Sequence, residues 1–288
     1  MRQPPPLPPA DLPPGHTLLV PGRGEFFVRD SGGDGPAVML LHGWMVSADL
    51  NWHTAYGPLR DAGYRALAMD HRGHGRGLRT PERFHLGDCA DDAAAVIEQL
   101  DLGPVVAVGY SMGGPITSLL ARGHPELLAG IVMCATASDW RATRRDRLLW
   151  TGMPALRFVL GAFPAGSWRA GMRLAGFPNT PRANWFAAEL TRGSPRDIAE
   201  AGRELGRFDS RSWIGSLKVP AAVIVTARDR DVPPYKQREL AQLLGAASFE
   251  IEADHAAIAM AADEFNSLLF QALAAVHEQE AAEATAPR

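Results

Sequence analysis

Val105-Val106-Ala107-Val108-Gly109-Tyr110-Ser111-Met112-Gly113 is the stretch whose reading decides the fold. Its first four residues form a short, uninterrupted apolar run, the pattern of a strand buried on both faces. The run ends in a G-x-S-x-G pentapeptide and leads into 112–122, which reads as a helix. Glycines two positions either side of the serine give room for a sharp, strained strand-to-helix turn that exposes the hydroxyl. The helix aims its N-terminus at that serine, so free backbone N–H groups and the positive end of the dipole can hold an oxyanion. The pentapeptide alone arises by chance in roughly one chain in ten of this size. The strand before it and the helix after it are what favour a nucleophile over a plain turn.

Outward from this point the pattern repeats. Apolar runs of strand length occupy 37–41, 64–69, 131–134, 221–226 and 248–252, and 16–20 with 25–30 form an opening hairpin about Pro21-Gly22-Arg23-Gly24. Helical periodicity fills 86–100, 235–244 and 256–276. The helix 86–100 has Asp88, Asp91 and Asp92 in its early turns, where the dipole favours acids, and 235–244 follows Pro233-Pro234. Alternating strands and helices predict an α/β fold with a mostly parallel sheet flanked by helices. The core is expected over 15–138 and 214–277. Residues 139–213 break the rhythm: they contain no strand signal but hold five of the seven tryptophans (Trp140, Trp150, Trp168, Trp185, Trp213), and turn pairs such as Phe177-Pro178 interrupt them. A loop of that length needs structure of its own, so a helical cap is expected there.

The 288 residues, 46% hydrophobic and 21% charged, suffice for one large domain with a sizeable core. A formal net charge of −3 offers nothing to nucleic acid or an anionic membrane surface. Residues 1–14, with seven prolines, read as a disordered tail without a secretory signal, and 278–288 as a fraying end. No stretch reaches the roughly 18 apolar residues of a membrane span. A cytoplasmic enzyme is therefore expected; the oligomeric state is left open. Cys89 and Cys134 read as free buried thiols.

Two more motifs give the pattern a family. Leu40-Leu41-His42-Gly43-Trp44 follows one strand run and Asp70-His71-Arg72-Gly73-His74-Gly75 follows the next. With the serine pentapeptide they resemble the α/β-hydrolase fold superfamily, in its capped serine esterase and haloperoxidase-like branch, over about residues 16–275. The resemblance implies a Ser–Asp–His triad in that chain order, with Ser111 as nucleophile. The acid belongs after a later strand in a D-x-x-V/I-P pattern, which places it on Asp229 in Asp229-Arg230-Asp231-Val232-Pro233, with Asp231 and Asp139 as competitors. The base belongs after the strand at 248–252 and falls on His255, although Asp254 stands where the family usually has glycine. Backbone N–H groups of Trp44 and Met112 would form the oxyanion hole.

A serine hydroxyl needs a base to take its proton, and the base needs an acid to fix its tautomer. The implied activity is hydrolysis of a carboxylic ester, lactone or thioester of a small, partly apolar molecule through an acyl-enzyme. Acyl transfer and cofactor-free perhydrolysis use the same triad, and a ligand receptor on this scaffold is an alternative of another class. Dehalogenases and epoxide hydrolases of the fold use an Asp nucleophile, against which Ser111 speaks. Met45, Trp150 and Phe163 are expected to line the acyl pocket. His42 reads as a structural, hydrogen-bonded histidine. His71 and His74 with Asp70 read as a structural corner, no third ligand standing at metal spacing, and Arg72 as a tie between loops. No metal or cofactor is called for.

Overall fold

The computed structural model describes residues 6–141, 144–174 and 179–285. An eight-stranded sheet runs through it: β1 (Gly15–Val20), β2 (Gly24–Asp30), β3 (Ala37–Leu41), β4 (Arg65–Met69), β5 (Val105–Tyr110), β6 (Leu128–Cys134), β7 (Ala221–Thr226) and β8 (Ala247–Ile251). Their order is β1-β2-β4-β3-β5-β6-β7-β8. The first two ladders are antiparallel, and every pairing from β4 to β8 is parallel. β3, β5 and β7 are buried at every position, as near-continuous apolar runs require when helices cover both faces.

The two-residue period of the strands sorts side chains between two cores. Met39, Leu41, Ala107 and Met133 face one side, under Cys89, Ala93 and Ile97 of α3 (Leu86–Gln99) and Ile116 and Leu120 of α4 (Gly113–Gly123). Val38, Leu40, Val106 and Val132 face the other. There they meet Trp52 of α1 (Ala48–Trp52), Leu59 of α2 (Tyr56–Asp61), and Phe265, Leu269 and Leu273 on a long carboxy-terminal helix. Short α1 and α2 leave no periodicity to read in sequence; Ser47 caps α1 by accepting from the Leu50 N–H at 3.3 Å. Arg72 joins the β4 turn to α3, gripping Asp92 at 2.7 and 2.8 Å and Asp88 at 2.8 Å.

Among the described residues, five α-helices separate β6 from β7: α5 (Arg144–Thr151), α6 (Met153–Ala162), α7 (Pro164–Leu174), α8 (Pro181–Leu190) and α9 (Pro195–Leu205). Phe177-Pro178 lies outside the described residues. The insertion's two ends are pinned together, Asp139 bridging Asp209 and Ser210 N–H donating to the Ser138 carbonyl at 2.8 Å. After β7 come α10 (Pro234–Leu244), β8, α11 (Ala257–Met260) and α12 (Ala262–Thr285).

Both termini depart from expectation where they are described. The stretch expected to fray from 278 stays helical to Thr285, because α12 anchors it with Val276 in the core and Gln279, which accepts from Ala221 N–H at 3.1 Å. Residues 6–14 form no regular element but dock: Leu7 N–H donates to the Pro181 carbonyl at 3.1 Å, and Pro9 and Pro13 are buried. Among the described residues no helix is long and apolar enough to cross a membrane. Cys89 and Cys134 are free and buried.

Candidate active site

Ser111 sits where β5 turns into α4, with φ of +53° in the left-handed region that non-glycine residues rarely adopt. The surroundings hold it there. Its N–H donates to the Cys134 carbonyl at 2.9 Å, and its carbonyl accepts from Gly114 N–H at 2.9 Å and the Thr136 hydroxyl at 2.7 Å. Two glycines allow the turn by close approach rather than by conformation: a Cβ on Gly109 would stand 2.4 Å from the Gly113 carbonyl oxygen, and one on Gly113 2.0 Å from that of Leu41.

Ser111 Oγ lies 3.0 Å from His255 Nε2, and His255 Nδ1 lies 2.7 Å from Asp229 Oδ2. Asp229 leaves the end of β7 and His255 the end of β8, neighbouring parallel strands, so the sheet brings residues distant in sequence to one edge. Asp229 is held on both oxygens. Oδ1 accepts from Asp231 and Val232 N–H at 2.8 and 2.9 Å, and Oδ2 accepts from the Thr226 hydroxyl at 2.8 Å and the Gln237 amide at 3.3 Å. Asp231 is exposed and presents no hydrogen bond to the imidazole. Asp139 lies elsewhere in the cleft, against Lys236, whose Nζ donates to the Asp139 carbonyl at 3.1 Å.

Burial raises the Asp229 pKa, but the His255 hydrogen bond and charge, the Val232 N–H and the Thr226 hydroxyl outweigh it, so the carboxyl titrates below its usual range. For His255 the signs reverse. Burial alone would depress it, and Asp229, with smaller help from Asp231 and Asp254, carries it above 6.5. Among the described residues, Asp229, Asp231 and His255 are also the carboxylate–imidazole group whose ligand atoms lie within 4.8 Å of one another.

Trp44 and Met112 flank Ser111, and among the described residues neither backbone N–H donates to a protein acceptor. His42 fixes the Trp44 loop. Its Nε2 accepts from His71 N–H at 2.9 Å, which leaves Nδ1 protonated and donating to the Gly43 carbonyl at 2.8 Å. Complete burial lowers its pKa to about 4, keeping it neutral. The next residue, Met45, takes φ of +67°.

Ser111 and His255 open into a cavity of about 800 Å³. Trp44, Met45, Trp140, Leu148, Trp150 and Leu205 supply its apolar wall, and Asp139, Arg230, Asp231 and Lys236 a polar one. Of the three residues expected at an acyl pocket, Met45 and Trp150 line this cavity. Phe163 does not: it follows α6, is 67% exposed and takes no part in the lining. Aromatic content places a residue in the insertion but not on its inner face, and Phe163 stands at the joint between α6 and α7, turned to solvent. Lys236 and Gln237 were missed; both are buried on α10, although in sequence they read as its polar surface.

The family model of the alpha/beta hydrolase fold matches residues 36–259, and the chain belongs to that family. Among curated proteins it is 42% identical over 90 residues to a non-heme haloperoxidase of Rhodococcus erythropolis, covering 31% of this chain and 32% of that protein. It is 37% identical over 103 residues to a bifunctional esterase/perhydrolase of Acinetobacter calcoaceticus, covering 35% and 37%. These matches span about a third of each relative's length. A thermophilic esterase from Thermogutta terrifontis superposes with a TM-score of 0.76 at 22% identity, over 92% of this chain and 99% of that one, a likeness of fold.

Proposed function

We propose that the protein is a serine hydrolase that cleaves a carboxylic ester, or a related lactone or thioester, of a small and partly apolar substrate. The observation that carries this reading is the unbroken Ser111–His255–Asp229 chain at 3.0 and 2.7 Å. Ser111 Oγ attacks the acyl carbon as His255 Nε2 takes its proton, and Asp229 stabilises the imidazolium that results. The carbonyl oxygen becomes an oxyanion between Trp44 N–H and Met112 N–H; one such donor is worth roughly 3–4 kcal/mol of barrier. His255 then protonates the leaving alcohol as the acyl–oxygen bond breaks. Water, deprotonated by the same imidazole, releases the acid from the acyl-enzyme.

The tryptophan-rich wall supports an apolar acyl group, and the insertion that supplies part of it acts as a lid which excludes water. A second reading, perhydrolysis, draws on the bifunctional relative: hydrogen peroxide in place of water would release a peracid from the same acyl-enzyme. Steady turnover of a chromogenic ester, lost by several orders of magnitude in a folded Ser111→Ala variant, is the expected result. A stoichiometric burst that stalls in water and resumes with an alcohol acceptor would replace hydrolase by transferase, and no burst at all would leave a receptor.

A further inference from the structure

A second cleft, of about 270 Å³, lies on the other flank of α9 and carries arginines from three separate segments. Arg83 comes from the loop ahead of α3, Arg157 from α6, Arg203 from α9 and Arg207 from the turn that follows α9. Glu200 and Glu204 are the acids of the same cleft. Counting the arginines and glutamates alone, four positive and two negative side chains leave a local surplus of two positive charges, on a chain whose net charge is −3.

The two acids are already engaged. Glu200 accepts from Phe84 N–H at 2.9 Å, and Glu204 lies 3.2 Å from His85 Nδ1 and 3.6 Å from Arg207. Among the described residues, Arg83, Arg157 and Arg203 have no ion-pair or hydrogen-bond partner. Other arginines of this protein behave differently: Arg29, Arg65, Arg72 and Arg238 each take a carboxylate in two-pronged geometry. Arg83, Arg157 and Arg203 are exposed and line one cleft, and the planar donor fork of an arginine without a carboxylate partner matches a tetrahedral or carboxylate oxyanion.

We propose that this cleft binds a small multivalent oxyanion of the phosphate type, held by Arg83, Arg157 and Arg203. Its position gives the site a consequence. α9 packs Ala201 and Leu205 in the core, and it and the turn before it are tied to the loop ahead of α3, Arg196 donating to the Pro81 carbonyl at 3.0 Å and Arg79 to the Arg192 carbonyl at 2.8 Å. α6 buries only Met153 and Leu160. An anion shared by Arg157 and Arg83 fastens α6 to the loop beside α3, and so steadies the helix that follows Gly152 at the wall of the catalytic cavity.

Calorimetric titration with pyrophosphate, at ionic strength matched by potassium chloride, tests the site without reference to ester turnover. Wild type should bind. Arg157→Ala and Arg203→Ala should each weaken binding about tenfold, the worth of a charge-assisted bond. Arg228→Ala, whose exposed side chain pairs with Glu252 away from the cleft, should leave it unchanged. Amide exchange in 153–162 should slow with pyrophosphate while 105–110 stays constant. Absence of wild-type binding above the chloride control, or equal binding by the Arg157→Ala/Arg203→Ala variant, overturns the site. Unchanged exchange in 153–162 overturns the clamp.

Discussion

The sheet core and the helices α5–α7 use their apolar residues in opposite ways. In the core, α12 places Phe265, Leu269, Leu273 and Val276 in full burial. In the insertion, Leu148 is 74%, Phe158 72% and Leu174 90% exposed. α9 stands between the two: it belongs to the insertion by sequence, yet Ala201 and Leu205 pack in the core cluster. The difference separates two tasks. Ser111, Asp229 and His255 sit at the ends of strands that cannot shift without unpacking the core, which keeps their 2.7–3.0 Å contacts in register. The walls of the cavity are partly drawn from helices with few buried residues, the low-stability end of the molecule.

The sharpest way to break this comparison is at the acid. Asp229→Asn should cost about 10³–10⁴-fold in kcat/KM, since the amide cannot fix the His255 tautomer or stabilise the imidazolium. Exposed Asp231→Asn should cost less than about tenfold, reflecting only its minor share in the His255 charge balance. Equal losses, measured by steady-state kinetics, would dissolve the distinction between a held and a solvated carboxylate.

Stability gives the next contrast, with the residue type kept constant. Leu269→Ala in the core should lower unfolding free energy by about 2–5 kcal/mol, whereas Leu174→Ala should stay within about 0.5 kcal/mol. Urea denaturation compares them directly, and similar losses would mean that α7 is packed after all. The pH profile should follow the site. Because His255 titrates above 6.5 and only the neutral imidazole accepts the Ser111 proton, the acid limb of kcat/KM should fall above pH 6.5. Asp229→Asn should move that limb to lower pH. Smallest of all, Leu148→Ala should change the preference between short and medium acyl esters severalfold through KM, leaving Ser111 reactivity unaltered; an unchanged preference would remove α5 from substrate selection.

How much of this was legible in sequence follows from the same contrast. Fully buried parallel strands write themselves as short apolar runs, and all eight were readable to within a few residues at their ends. Ser111, Asp229 and His255 were readable because each follows such a run in a turn of recognisable chemistry. The pocket wall was readable only in part. Trp150 and Phe163 share composition and neighbourhood, yet Trp150 lies on α5 and lines the cavity while Phe163 stands at the joint between α6 and α7 and faces solvent, a difference that aromatic content alone does not carry. Gln237 and Lys236 were hidden for another reason: they are buried polar residues whose partners, Asp229 and Asp139, are brought near by the fold. Docking of 6–14 was equally silent, since proline-rich chain carries no periodic signal to show that it rests on a surface.

The proposed function requires Ser111 to be an activated nucleophile where β5 turns into α4. Covalent labelling with a fluorophosphonate, followed by peptide mapping, tests that most directly. The account predicts one adduct, on Ser111, formed rapidly in wild type, slowly in Asp229→Asn and not at all in Ser111→Ala. An adduct mapped to another serine, or undiminished labelling of Ser111→Ala, would contradict it.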